Sequence, residues 1–171
     1  MPGRPFTPEE FRSALGRFAS GVTVITVARQ DGQAQGRVHG MTANAFSSVS
    51  LEPPLVLVCV NKSAQTCALL AARGRFGINI LRQEQEALSR YFAEVNQDPE
   101  TAERLGIRWR FTERGTPLLE GCLAQLECAL AATHEGGDHL IFVGAVEQFA
   151  AADGHPLLFY RSRYAALVNS A

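Results

Sequence analysis

The residues of this chain that can do chemistry gather in a few short segments. Thr42, Ala43, Asn44, Ser47, Ser48 and Ser50 stand close together, and Asn61-Lys62-Ser63 with Thr66 follow after the apolar run Leu55 to Val60. Hydroxyls, amides and small residues beside a flat apolar wall suit a planar ligand rich in ring nitrogens and oxygens. A lysine, hydroxyls and the amides of a helix start suit a phosphate. A flavin combines both features. The same residues also read as a strand edge with solvated hydroxyls, and as a capped turn in which Ser63 starts a helix. Spacing alone leaves these readings open.

Gly137-Asp138-His139 forms a third segment, with His134 nearby. An imidazole at a strand start can hydrogen-bond a substrate or hold a nicotinamide ring, or it can point to solvent from a turn whose aspartate accepts backbone amides. Tyr160-Arg161-Ser162-Arg163-Tyr164 interleaves cations with aromatics, as a phosphate or ring contact does, and as a solvated edge or subunit contact also does. Neither His39 nor His155 has an evident partner in the sequence. Cys59, Cys67, Cys122 and Cys128 match neither a Cys-x-x-Cys pair nor a zinc knuckle, and read as small buried residues in a reducing compartment.

The elements that must position these groups follow from periodicity. Thr7-Pro8-Glu9-Glu10 is a capping box opening a helix to about Ser20, with Phe11, Leu15 and Phe18 on a face predicted to pack on the body of the protein. Val22 to Val27 is a β-branched strand that turns at Asp31-Gly32 and returns through Gly36 to His39. Leu55 to Val60 is a core strand, 64–72 a short helix closed by Gly74, and Arg75 to Leu81 another strand. Helical character returns over 83–94, and Asp98-Pro99 caps a further short helix. Ile107 to Phe111, Cys122 to Thr133, His139 to Phe149 and Leu157 to Tyr160 read as strands, the second and third forming a long hairpin. About six strands joined mainly by hairpins predict a mainly β fold, a closed antiparallel barrel with short flanking helices. No Gly-x-Gly-x-x-Gly turn joins a strand to a helix, so a nicotinamide cofactor would bind by a route other than a Rossmann unit.

The 171 residues suit one domain spanning 1–171, and the 46% hydrophobic fraction is ordinary for a globular chain. With 16 basic against 17 acidic residues there is no basic surplus for nucleic acid. No run approaches the roughly 20 apolar residues of a membrane span, and Met-Pro-Gly-Arg-Pro-Phe-Thr carries no hydrophobic signal core. A cytoplasmic protein that binds neither nucleic acid nor membrane is expected.

Taken in order, Phe18-Ala-Ser-Gly-Val-Thr-Val24, Gly40-Met-Thr-Ala-Asn-Ala-Phe-Ser-Ser-Val-Ser-Leu-Glu-Pro-Pro54, Phe76-Gly-Ile-Asn-Ile-Leu81, Gly137-Asp-His139 and Pro156-Leu-Leu-Phe-Tyr-Arg161 resemble the flavin reductase-like family of FMN-binding split barrels. The resemblance covers nearly the whole chain. It implies a six-stranded Greek-key split barrel, a homodimer, and NAD(P)H-dependent reduction of FMN or FAD for a separate oxygenase. The alternatives are an FMN-binding electron-transfer flavoprotein and a flavin-dependent reductase of another small substrate. By the same resemblance Thr42, Ala43, Asn44, Ser47 and Ser48 contact the flavin ring and ribityl chain, and Cys59, Val60 and Asn61 line the ring through their backbone. Lys62, Ser63 and Thr66 lie near the phosphate, His139 sits by the nicotinamide as the catalytic candidate, and Tyr160, Arg161 and Tyr164 stand at the same mouth. No metal is implied. Ala45 stands where many relatives carry a hydroxyl, so that polar contact to the flavin is either missing or supplied by a backbone amide.

Overall fold

The computed structural model describes residues 5–29 and 38–168. The predicted turn at Asp31-Gly32 and the return through Gly36 lie outside the described residues. Helix α1 (Pro8–Leu15) begins as its sequence dictates. Thr7 Oγ1 accepts from the Glu10 amide at 3.2 Å and the Glu10 carboxylate accepts from the Thr7 amide at 3.0 Å. It ends at Gly16, short of Ser20, and buries none of its residues. Phe11, Leu15 and Phe18, predicted to pack on the body, are instead 52%, 59% and 82% exposed. Helical spacing specifies an apolar face without specifying what covers it.

The strands that follow are β1 (Ser20–Gly21), β2 (Thr23–Ala28), β3 (Val38–Ala43), β4 (Phe46–Leu51) and β5 (Pro54–Asn61). Helix α2 (Gln65–Arg73) ends on Gly74, whose φ of 63° is left-handed and therefore easiest for glycine. Then come β6 (Arg75–Ile80), a 3₁₀ turn at Gln83–Gln85, α3 (Glu86–Ala93), and α4 (Pro99–Arg104), capped by Asp98 accepting from the Thr101 amide at 2.8 Å. The chain closes with β7 (Trp109–Phe111), β8 (Pro117–Leu119), β9 (Ala124–Gly136), β10 (His139–Ala151), β11 (Leu158–Tyr160) and β12 (Arg163–Ala165).

The main sheet is antiparallel and seven-stranded, in the order β3-β2-β6-β9-β10-β5-β4, with small sheets β1-β11-β12 and β7-β8 beside it. The six-stranded closed barrel of the sequence reading is corrected in two respects. The strand count is higher because much of the polar segment around Thr42 to Ser50 is strand, β3 pairing with β2 and β4 with β5. The ladder is also open, since β3 and β4 are its two edges. Only Asn44 and Ala45 separate those edges, so the end of β3 and the start of β4 lie no more than about 11 Å apart. The sheet therefore curls so that the end of one edge strand comes near the start of the other. Inside the curl pack Ile25, Val27, Val58, Leu70, Phe76, Ile78 and Phe142, and a second cluster around Val24, Leu81, Phe92 and Leu119 lies under α3. At Gly144 an added Cβ would stand 2.6 Å from Phe76 Cζ, so this glycine is a packing requirement.

Candidate functional site

The junction of β3 and β4 is fixed from three sides. Thr23 Oγ1 donates to the Ala43 carbonyl at 2.7 Å, the Cys59 amide donates to the Ala45 carbonyl at 3.0 Å, and Thr42 Oγ1 donates to the Ser89 carbonyl at 2.6 Å. Helix α3 reaches Thr42 because Gly40 lets the Phe92 ring lie where a Cβ would be, 2.5 Å from it. Ser89 Oγ in turn meets the Tyr164 hydroxyl at 2.8 Å, and Arg90 stacks 4.8 Å from the Tyr164 ring centre. A cavity of about 170 Å³ opens here, lined by Thr42, Asn44, Ser89 and Tyr164 among others. Asn44, Ser47 and Ser48 remain exposed.

The end of β5 and the head of the β9–β10 hairpin form the second part. Asn61 is the cross-strand partner of His139, and the Lys62 amide donates to the Asp138 carbonyl at 3.0 Å. Gly137, at φ 72°, makes the two-residue turn that brings Asp138 and His139 there. Lys62 also forms an ion pair with the exposed Glu135. Asn61 Oδ1 accepts from both the Ser63 amide at 2.9 Å and the Ser63 hydroxyl at 2.6 Å. Ser63 therefore does not cap α2. The N-cap is Ala64, which offers no side-chain acceptor, so the first-turn amides of α2 have no side-chain cap.

Thr66 is fully buried, its Oγ1 2.7 Å from His39 Nε2. Arg29 Nη2 lies 3.2 Å from His39 Nδ1. Since arginine only donates, Nδ1 is the acceptor and the imidazole hydrogen sits on Nε2, as the network assigns it. Burial first, then the charge of Arg29, lowers His39 to about 4 and keeps it neutral. At His139 the assignment is reversed. Nδ1 stands 2.8 Å from Asp138 Oδ1, a carboxyl held below its ordinary value first of all by that hydrogen bond. This leaves Nε2 of the half-exposed His139 ring for a ligand.

Tyr160 and Arg161 share the walls of a cavity of about 430 Å³ with Tyr164. Arg161 and Ser162, at φ 50° and 59°, make the turn between β11 and β12, and the Arg161 amide donates to the Gly16 carbonyl at 2.8 Å. The Arg161 guanidinium covers its neighbour Tyr160 at 5.6 Å. The structure thus joins Tyr164 to Thr42 and Asn44, joins Asn61, Lys62 and Ser63 to His139, and ties the two groups together through Ala45 and Cys59. Arg161 also reaches the end of α1 through the Gly16 carbonyl. Ser89, Glu135 and the Arg29–Gln65 contact were absent from the sequence reading, and nothing in their local sequence marks them.

Burial pushes the Cys59 thiol up, and pushes Cys122 and Cys128 up to about 12, so these three are poor nucleophiles. What the site offers is a set of hydroxyls, amides, one lysine and one imidazole around a strand end. The exposed Asn44, Ser47 and Ser48 match the hydrogen-bonding edge of a flavin. Lys62 pairs with Glu135 at the surface, the kind of contact worth at most about 1 kcal/mol, so a phosphate can displace Glu135. The residues present fit the group.

A curled antiparallel sheet with such a site defines a small β domain that positions a cofactor, with the acid-base work left to the cofactor itself. The chain belongs to the family described as Flavin reductase like domain, whose profile matches residues 15–168. It is 48% identical over 161 residues to an NADH-dependent flavin reductase of Rhodococcus sp, covering 94% of this chain and 87% of that one. It is 41% identical over 160 residues to the reductase subunit HsaB of a flavin-dependent monooxygenase of Mycobacterium tuberculosis, covering 92% and 81%. Among solved structures it resembles the NADH:FAD oxidoreductase SgcE6 of Streptomyces globisporus C-1027, in complex with NAD and FAD fragments. There the TM-score is 0.85, with 36% identity and 99% of each chain covered.

Proposed function

We propose that the protein is an NAD(P)H:flavin oxidoreductase, reducing FMN or FAD and releasing the reduced flavin to a separate monooxygenase. The observation that carries this reading is the pairing of Asn61 with His139 across β5 and β10, next to the Asn44–Ala45 junction. It sets the groups suited to a flavin and the group suited to a nicotinamide at one strand end. When bound, the flavin supplies the redox chemistry by taking hydride from the nicotinamide. Thr42, Ala43, Asn44, Ser47 and Ser48 hold the ring edge and ribityl chain, while the backbone of Cys59, Val60 and Asn61 lines the ring. Lys62 and Ser63 hold the phosphate. Thr66 supports their turn from below, its hydroxyl receiving the His39 hydrogen and its own hydrogen remaining available. His139 accepts at Nε2 and orients the nicotinamide, and Tyr160, Arg161 and Tyr164 border the mouth.

The finer architecture belongs to the same reading. The curled sheet is a single split-barrel domain, with its seam between β3 and β4. The uncovered apolar face of α1 is the contact of a cytoplasmic homodimer. The test is NADH oxidation under anaerobic and aerobic conditions, with FMN and FAD each titrated from below one equivalent to large excess. Turnover that saturates with added flavin supports a reductase that releases its product. Bound flavin bleached once, with no response to added flavin, sinks that reading in favour of an electron carrier.

A further inference from the structure

Two polar side chains, at the end of the β2–β3 pair away from Asn44, reach into the start of α2. Arg29, directly after β2, places Nη2 3.2 Å from His39 Nδ1 and donates from the same nitrogen to Gln65 Oε1 at 3.0 Å. His39, the second residue of β3, stands with Nε2 2.7 Å from Thr66 Oγ1. Gln65 and Thr66 are the first two residues of α2, so both are held from outside the helix. The setting of His39 is a core one, because it is 8% exposed, lies opposite the fully buried Val27 and meets the fully buried Thr66. An apolar side chain fills such a place without the cost of burying an imidazole beside a guanidinium. Packing therefore gives no reason for a histidine here, and its two hydrogen bonds do. With Nδ1 accepting from Arg29, Nε2 donates to Thr66 and ties β3 to the helix start. That start is continuous with the turn before it, since the Asn61 carbonyl accepts from the Ala64 amide and the Ala64 carbonyl from the Cys67 amide, each at 3.0 Å. A shift of Thr66 is thus passed to the turn that carries Lys62 and Ser63.

We propose that His39 is a positioning residue for the flavin phosphate, acting through Thr66 to hold the first turn of α2 and the Lys62–Ser63 turn in the geometry that receives it. The proposal rests on the flavin reductase reading. Its test compares FMN with riboflavin, which has the same ring and ribityl chain and no phosphate, in fluorescence titrations of the intact protein. His39→Leu keeps a side chain of similar bulk and removes both hydrogen bonds. It is expected to weaken FMN binding about fivefold, as loss of one hydrogen bond does, and to leave riboflavin binding unchanged. His39→Gln, whose amide can accept from Arg29 and donate to Thr66, should retain FMN affinity, which a role in packing alone does not predict. Thr66→Val should reproduce the loss, and adding His39→Leu to it should weaken FMN no further. Equal losses for both flavins, an unaltered FMN affinity in His39→Leu, a loss in His39→Gln as large as in His39→Leu, or losses that multiply in the double variant each overturn the proposal. If the unaltered protein binds FMN no better than riboflavin, the phosphate seat is lost and the proposal with it, while the ring site stands. Absence of binding by either flavin removes the reductase reading itself, and this inference with it.

Discussion

His139 and His39 show how one residue type takes opposite tasks from its surroundings. His139 stands at an open hairpin head with Asp138 on Nδ1, so it can orient a ligand and carries little of the chemical step. His139→Ala is expected to raise the KM for NADH several-fold while the Kd for flavin stays constant. Steady-state kinetics beside a flavin titration check this, and a collapse of flavin affinity would move His139 into the flavin site. His39 is buried between Arg29 and Thr66 and stays neutral, its value lowered from 6.5 to about 4. The unfolded chain takes up a proton there that the folded protein resists. Stability from this group is thus complete above about pH 6.5 and is lost as pH falls through about 4, by on the order of 3 kcal/mol. Urea midpoints measured across that window should show the slope, and His39→Gln should flatten it. The sequence displayed both histidines but could not distinguish them, because their partners come from other elements.

At the scale of elements, β3 and α3 determine the shape of the mouth proposed above for the flavin. Gly40 allows Phe92 to lie directly on β3, which brings the Ser89 carbonyl to Thr42 and its hydroxyl to Tyr164. Gly40→Ala drives a methyl into that ring. It is expected to cost about 1–3 kcal/mol of stability and to weaken flavin binding as α3 moves away, measurable by urea unfolding and flavin titration. Most elements were legible in the sequence, since β-branched runs, the capping box at Thr7, the Asp98-Pro99 cap and Gly74 each act locally. The edges were not. Phe46–Leu51 alternates weakly and is rich in serine, and becomes a strand because β5 supplies its partner. Glu127 likewise sits fully buried in β9. Burial works to raise its carboxyl, and hydrogen bonds from Thr116 and Thr112 with the Arg75 contact outweigh that and leave it lowered. No local pattern announces a buried carboxylate whose Oε1 is held by the threonines of another turn.

For the whole molecule, the exposed Phe11, Leu15 and Phe18 on and just beyond α1 form an apolar face that an isolated chain leaves in water. If a second copy covers them, light scattering should give twice the chain mass, and Phe11→Asp combined with Phe18→Asp should return it to the single-chain mass. A wild-type monomer at micromolar concentration would remove the dimer. The flavin-site segments lie far apart along the chain, so their chemistry could be named from residue types but not assembled. By itself the sequence determined the mainly β class, the helix caps, the hairpins and the segments that carry the family, because those depend on periodicity and on neighbours within a few positions. The tertiary structure decided that two edge strands meet across Asn44-Ala45, that Lys62 meets the Asp138–His139 turn, and that Tyr164 rather than Arg161 joins Thr42. Such contacts depend on sheet register and curl, which the pairing of whole strands sets and no short stretch of residues encodes.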